Sequence, residues 1–193
     1  MSYELPICVD IAGKTYSIRS DYRAVLDICA ALSDAELSDQ DKAIAVLAIF
    51  YPDADTIPPE DYKEAMERCF WFIDCGDDST VDQRRAPKLM DWEQDLRYII
   101  APINRVLGQE VRSVPYDFEN NVGGLHWWTF VSAYYEIGDC LFAQIVRIRS
   151  LRARGKPLDK ADREWYAQNR HLVDLKTNYT EQENELLKMW GGG

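Results

Sequence analysis

"GGLHWWTFVSAYYEIGD", residues 123–139, crowds two tryptophans, a phenylalanine and two tyrosines into one stretch of an otherwise polar, acidic chain. From Leu125 onward it reads as a helix whose apolar residues do not keep to one stripe. Leu125, Trp128 and Tyr135 point one way; Trp127, Val131 and Tyr134 point another. A helix apolar all round must be covered on most sides. Its cover is either the chain's own core, where bulky aromatics most often serve, or a partner, since tryptophan and tyrosine are enriched in binding hot spots. A membrane anchor is excluded, because Glu136, Gly138 and Asp139 break the run well short of the roughly 20 apolar residues that span a bilayer.

The elements on either side set the fold class. "ELPICVDIAGKTYSIRSDYR" (4–23) alternates Leu5, Ile7 and Val9, turns at Ala12-Gly13-Lys14, and resumes with Tyr16 and Ile18, which predicts a β-hairpin. Ser20 is the expected cap of a helix through "DYRAVLDICAAL". "SDQDKAIAVLAIFYP" predicts a second helix, capped by Ser38 or Asp39 and ended before Pro52, and "PEDYKEAMERCFWFIDCG" a third, ended at Gly76. "DWEQDLRYIIAPINRVLG" aligns Trp92, Leu96, Ile99, Ile100, Ile103 and Leu107 on one face, with a kink expected at Pro102. Beyond the aromatic stretch come helices in "DCLFAQIVRIRSLRARGKP", "DKADREWYAQNRHLVDLK" and a short "TEQENELLKMW". The fold expected is mainly α, about six to seven helices behind an N-terminal β-hairpin. Residues 1–76 form the hairpin and first helices, 77–90 a mobile linker, and 91–193 a helical region, separate or continuous with the first.

Composition narrows the function. With 33 acidic against 22 basic residues the formal charge is −11, which repels nucleic-acid backbones and anionic membranes and favours solubility. The five cysteines are odd in number and contain no CxxC, which suits buried thiols in a reducing cytosol. The amino terminus lacks the basic and long apolar regions of a signal peptide, so export by that route is not expected. His126 and His171 lie far apart with no metal-ligand spacing, and no GxGxxG, GxxxxGK[ST] or GxSxG pattern occurs. We therefore expect no enzyme, no cofactor and no metal. Asp91 and Asp95 read as solvated acids favoured by a helix N-terminus. From Arg147 to Lys176 nine basic residues face four acidic ones. That is either a solvated helical hairpin with basic edges or a surface for self-association, an acidic partner or nucleic acid.

"MDWEQDLRYIIAPINRVLG" (90–108), "GGLHWWTFVSAY" (123–134) and "FAQIVRIRS" (142–150), preceded by "FWFIDCGDD" (70–78) and "IAGKTYSIRSDYRAVL" (11–26), resemble a protein of siphophages that infect low-GC Gram-positive bacteria. It is encoded between the major tail protein and the tape measure protein, and its family is assigned as tail assembly chaperones. The resemblance runs over nearly the whole chain; its most specific parts are the tetrad Leu125–Trp128 and the "IxxIR" of Ile145–Arg149. It implies a non-enzymatic helper in the bacterial host cytoplasm that binds the tape measure protein and keeps it soluble. Tail tube subunits then polymerise around that protein, and the helper is absent from the mature virion. Further partners would be the tail tube protein and the chaperone itself. Within this reading Trp127, Trp128 and Tyr134 are candidates for a client-binding or self-association surface. Arg147, Arg149, Arg152 and Arg154, in a basic stretch reaching Arg163, are candidates for electrostatic docking. The rival readings are a structural virion component of the tail or head-tail joint and a nucleic-acid-binding phage regulator.

Overall fold

The computed structural model describes residues 4–77 and 87–176. The hairpin forms where apolar alternation predicts it. β1 (Cys8–Ile11) pairs antiparallel with β2 (Lys14–Ser17), setting Val9 opposite Tyr16. The turn is only Ala12 and Gly13, at φ 48° and 79°, the hand that matches the twist of paired strands. Lys14 therefore belongs to β2. Val9, Ile11, Tyr16 and Ile18 are buried, whereas Leu5 and Ile7 are exposed.

Three helices follow: α1 (Tyr22–Ser33), α2 (Asp39–Phe50) and α3 (Tyr62–Ile73). α2 starts at Ser38, whose hydroxyl accepts from the Asp41 amide. The cap of α1 is Asp21 rather than Ser20, because the Asp21 carboxylate accepts from the Arg23 amide at 2.9 Å. Val25 and Ile28 of α1, Val46 and Phe50 of α2, and Cys69 and Phe72 of α3 are fully buried. Burying side chains of this size contributes roughly 1.5–3 kcal/mol each. The Phe50 ring lies 5.4 Å from Phe72 and 4.8 Å from Tyr51, and the Tyr51 hydroxyl donates to the Ala65 carbonyl at 2.8 Å. Buried Arg19 closes the C-terminus of α2. Its amide donates to the Phe50 carbonyl and its Nη1 to the carbonyls of Ala48 and Ile49, satisfying acceptors that a helix end leaves open.

Further on, α4 (Trp92–Leu107) runs unbroken through Pro102 and ends at Gly108, φ 69°. A second small hairpin, β3 (Tyr116–Asp117) with β4 (Val122–Gly123), follows α4. α5 (Trp127–Tyr135), α6 (Leu141–Ala153), α7 (Lys160–Gln168) and α8 (Arg170–Val173) complete the chain. The fold is mainly α, as expected, with eight α-helices among the described residues. One expected helix becomes α7 and α8 because Asn169 leaves helical backbone geometry (φ −121°, ψ 28°), its amide donating to the carbonyls of Trp165 and Tyr166.

The chain divides into two compact units. The first takes the residues up to Asp78 together with Val114–Trp128; the second takes Ser79–Ser113 and Thr129–Lys176. The segment Val114–Trp128 thus returns to the unit of the hairpin, and the division falls inside α5. Most of the expected linker (78–86) and the expected helix in "TEQENELLKMW" lie outside the described residues.

Candidate functional site

In the first unit the tetrad Leu125–Trp128 is a set of hydrogen bonds before it is a surface. The Leu125 amide donates to Asp21 Oδ2 at 2.6 Å, the Tyr22 amide donates to the Leu125 carbonyl at 3.0 Å, and the Trp127 amide donates to the Ser20 carbonyl at 2.7 Å. Gly124 makes the approach possible: at φ 92°, a Cβ there would collide with the Asp21 carboxylate. His126 Nε2 donates to the Pro6 carbonyl (2.9 Å) and its Nδ1 accepts from the Trp128 amide (3.1 Å). Together these two bonds call for the neutral ring protonated at Nε2. Burial holds this imidazole below its ordinary range.

Both indoles turn to the C-terminal end of α3. Trp127 Nε1 donates to the Ile73 carbonyl and Trp128 Nε1 to the Phe72 carbonyl, each at 2.8 Å. The Trp128 ring packs 5.6 Å from Trp71 and 6.0 Å from Phe72. Trp127 is 3 % exposed and Trp128 half-buried. Of the two covers open to the aromatic stretch, its own chain provides one at this end.

In the second unit an arginine does comparable work. Arg149 is 5 % exposed, and all five of its N–H groups are used. Nη1 and Nη2 grip the two oxygens of Asp95 at 2.6 and 3.0 Å, Nε donates to the Val173 carbonyl, and the remaining donors reach the carbonyls of Leu89 and Leu172. Asp95 is fully buried, which corrects its reading as a solvated acid. Asp91 is the N-cap of α4, accepting from the Gln94 amide and paired with Lys88. Beside this pair Trp92 lies 6.1 Å from Phe130 and 5.6 Å from Tyr134, whose hydroxyl donates to Met90 Sδ at 3.3 Å. Tyr134 is half-buried.

The residues anticipated for one surface therefore separate. Trp127 and Trp128 belong to the first unit, and Tyr134 to the aromatic cluster of the second. Arg149 is enclosed, which leaves its guanidinium no face for docking. Arg147 pairs with Asp162 and Arg152 with Asp174, the latter also lying 4.3 Å over the Tyr166 ring. Arg154 is exposed and has no side-chain partner among the described residues. What composition did not single out are three exposed apolar side chains of the second unit. Arg105 Nη2 donates to the Ile137 carbonyl, tying the end of α4 to the loop between α5 and α6. On these elements Tyr135 is 77 % exposed, Leu141 45 % and Val106 39 %. Their signal in the sequence is faint, because a single apolar residue in a helix reads alike whether it is core or surface.

Among the described residues no group of three or more His, Cys, Asp or Glu side chains could hold a metal ion, and no helix is long and apolar enough to cross a membrane. The match to a family model makes the chain a bacteriophage protein. It belongs to the bacteriophage Gp15 protein family, whose model matches residues 1–175. No curated protein and no solved structure matches the chain. Membership of this family fits a structural or assembly role in a phage.

Proposed function

We propose that this protein is a tail assembly chaperone that binds the tape measure protein and keeps it soluble while the tail tube forms. The observation that carries the reading is the exposure of the apolar side chains Val106, Tyr135 and Leu141 on a chain of a phage family. A long, partly hydrophobic helical client needs apolar contact that tolerates many sequences. A tyrosine and aliphatic side chains on adjoining elements supply it at low entropic cost. The net charge of −11 keeps both partners in solution. The tetrad Leu125–Trp128 acts in this reading through the fold, by holding the start of α5 in place.

The test is co-expression with the neighbouring tape measure protein, following solubility and co-purification of both. The chaperone reading expects the tape measure protein to become soluble and to travel with this chain. A Tyr135→Ser, Leu141→Ser variant should lose that capture while keeping its helical circular dichroism. A client that stays insoluble and unbound, with this chain found by mass spectrometry in purified particles, would overturn the reading in favour of a structural virion component.

A further inference from the structure

The charge of the molecule is divided between its two units. Among the described residues the first unit carries eighteen acidic and six basic side chains, a formal charge of −12. The second carries ten acidic and thirteen basic, a formal charge of +3. Within the second unit several cations are consumed internally: Arg149 by Asp95, Arg147 by Asp162, Arg152 by Asp174. Three of the cations without an ion pair lie at the turn from α6 to α7 and in the first turn of α7. There Arg154, Lys156 and Arg163 are exposed and make no side-chain hydrogen bond or ion pair among the described residues.

On the first unit, α3 and the turn before it present the complementary feature. A groove of about 520 Å³ is lined by Glu60, Asp61, Glu64, Glu67, Arg68 and Trp71, with Lys63 beside them. Lys63 approaches Glu67 only to 3.8 Å and Arg68 approaches Glu64 only to 3.7 Å, and exposed pairs of this kind are weak. An incoming guanidinium would find carboxylates to bind and the half-buried Trp71 indole to lie against.

We infer that this protein associates with itself head to tail, the basic α6–α7 turn of one molecule docking on the acidic α3 groove of the next. The same chain supplies both surfaces, so the partner is present wherever the protein is. A nucleic acid fits less well: the net charge of −11 repels a phosphate backbone at long range, and Asp159 and Glu164 interrupt the cationic run. Joined head to tail, one such contact at a time, copies form a ring or an open chain. The inference does not rest on the identity of any client.

Sedimentation velocity of the full chain over a range of concentrations tests it. In about 50 mM salt the average mass should rise with concentration, and in about 500 mM salt it should return to the monomer, since screening shortens the reach of exposed charges. An Arg154→Glu, Lys156→Glu, Arg163→Glu variant should lose about tenfold or more in association constant, and so should a Glu60→Lys, Glu67→Lys variant, both remaining folded by circular dichroism. An equimolar mixture of the two variants should associate again, each offering the reversed surface the other lacks. A chain that stays monomeric at low salt, or whose association ignores both reversals, overturns the proposal. So does a monomeric chain that binds an oligonucleotide through the same three cations with steep salt dependence.

Discussion

Asp21 in the first unit and Asp95 in the second are both buried carboxylates gripped by arginine, yet they do different work. Asp21 takes its cation from Arg23, two residues away and partly exposed, and reaches across the sequence only to a neutral donor, the Leu125 amide. Asp95 takes its cation from Arg149, 54 residues away, with both side chains almost wholly enclosed. The long-range donors that fix the Leu125–Trp128 tetrad are thus neutral N–H groups, the Leu125 and Trp127 amides and two indoles. In the second unit the most enclosed long-range tie is a charge pair, Arg149 with Asp95. Losing a neutral hydrogen bond leaves an unsatisfied carbonyl, whereas losing one ion leaves an orphan charge, which is far costlier.

The largest expected effect follows from that contrast. Arg149→Met leaves Asp95 buried without its counter-ion and should destabilise the protein by about 3–5 kcal/mol, while adding Asp95→Leu recovers most of the loss. Denaturant unfolding measures both, and a single variant close to wild type would show that the pair does not hold the second unit together. Trp127→Phe keeps a ring but strands the Ile73 carbonyl, at an expected cost of about 1–3 kcal/mol. If it proved as damaging as Arg149→Met, the distinction between neutral and charged ties would fail.

A third effect is read by pH. Burial first, against an opposing hydrogen bond to Pro6, lowers the His126 pKa from its ordinary 6.5. The unfolded chain therefore takes up this proton before the folded one does. The contribution of His126 is fully present above pH 6.5 and is lost as the pH falls from there through the lowered folded value. His126→Gln should flatten that part of the stability profile, and an unchanged slope would remove His126 from the account. The smallest effect is expected at Tyr135→Ala, within about 0.5 kcal/mol of wild type. Its loss should be felt in client capture and not in the unfolding midpoint.

Much of the fold was legible in local pattern. The hairpin around Ala12-Gly13, the Ser38 cap and the end of α4 at Gly108 depend on residues within a few positions of one another. The candidate site was less so. Tryptophan and arginine are favoured both in cores and in interfaces, and composition alone does not separate the two. What ties Trp127, Trp128 and Arg149 to their own chain is where their N–H groups end, on carbonyls and a carboxylate 23 to 60 residues away. The Asp21 cap escaped for a related reason: Ser20 and Asp21 both suit a helix start, and the bond from Leu125 lies 104 residues off. The β3–β4 hairpin has only two residues in each strand, too few for any alternation to show.

The indole bonds from Trp127 and Trp128 to the end of α3 also set a schedule for the nascent chain. Their acceptors precede them by 54 and 56 residues, and at about 5–20 residues per second the ribosome takes roughly 3–11 s to cover that interval. Until then α1, α2 and α3 are complete in sequence while the aromatic edge around Phe72 stands uncovered. The second unit waits longer still, until Leu172 and Val173 have been made and can receive Arg149. A chain cut before Gly124 would therefore carry a permanently open edge, the kind of surface that aggregates, and synthesis past Trp128 is what closes it.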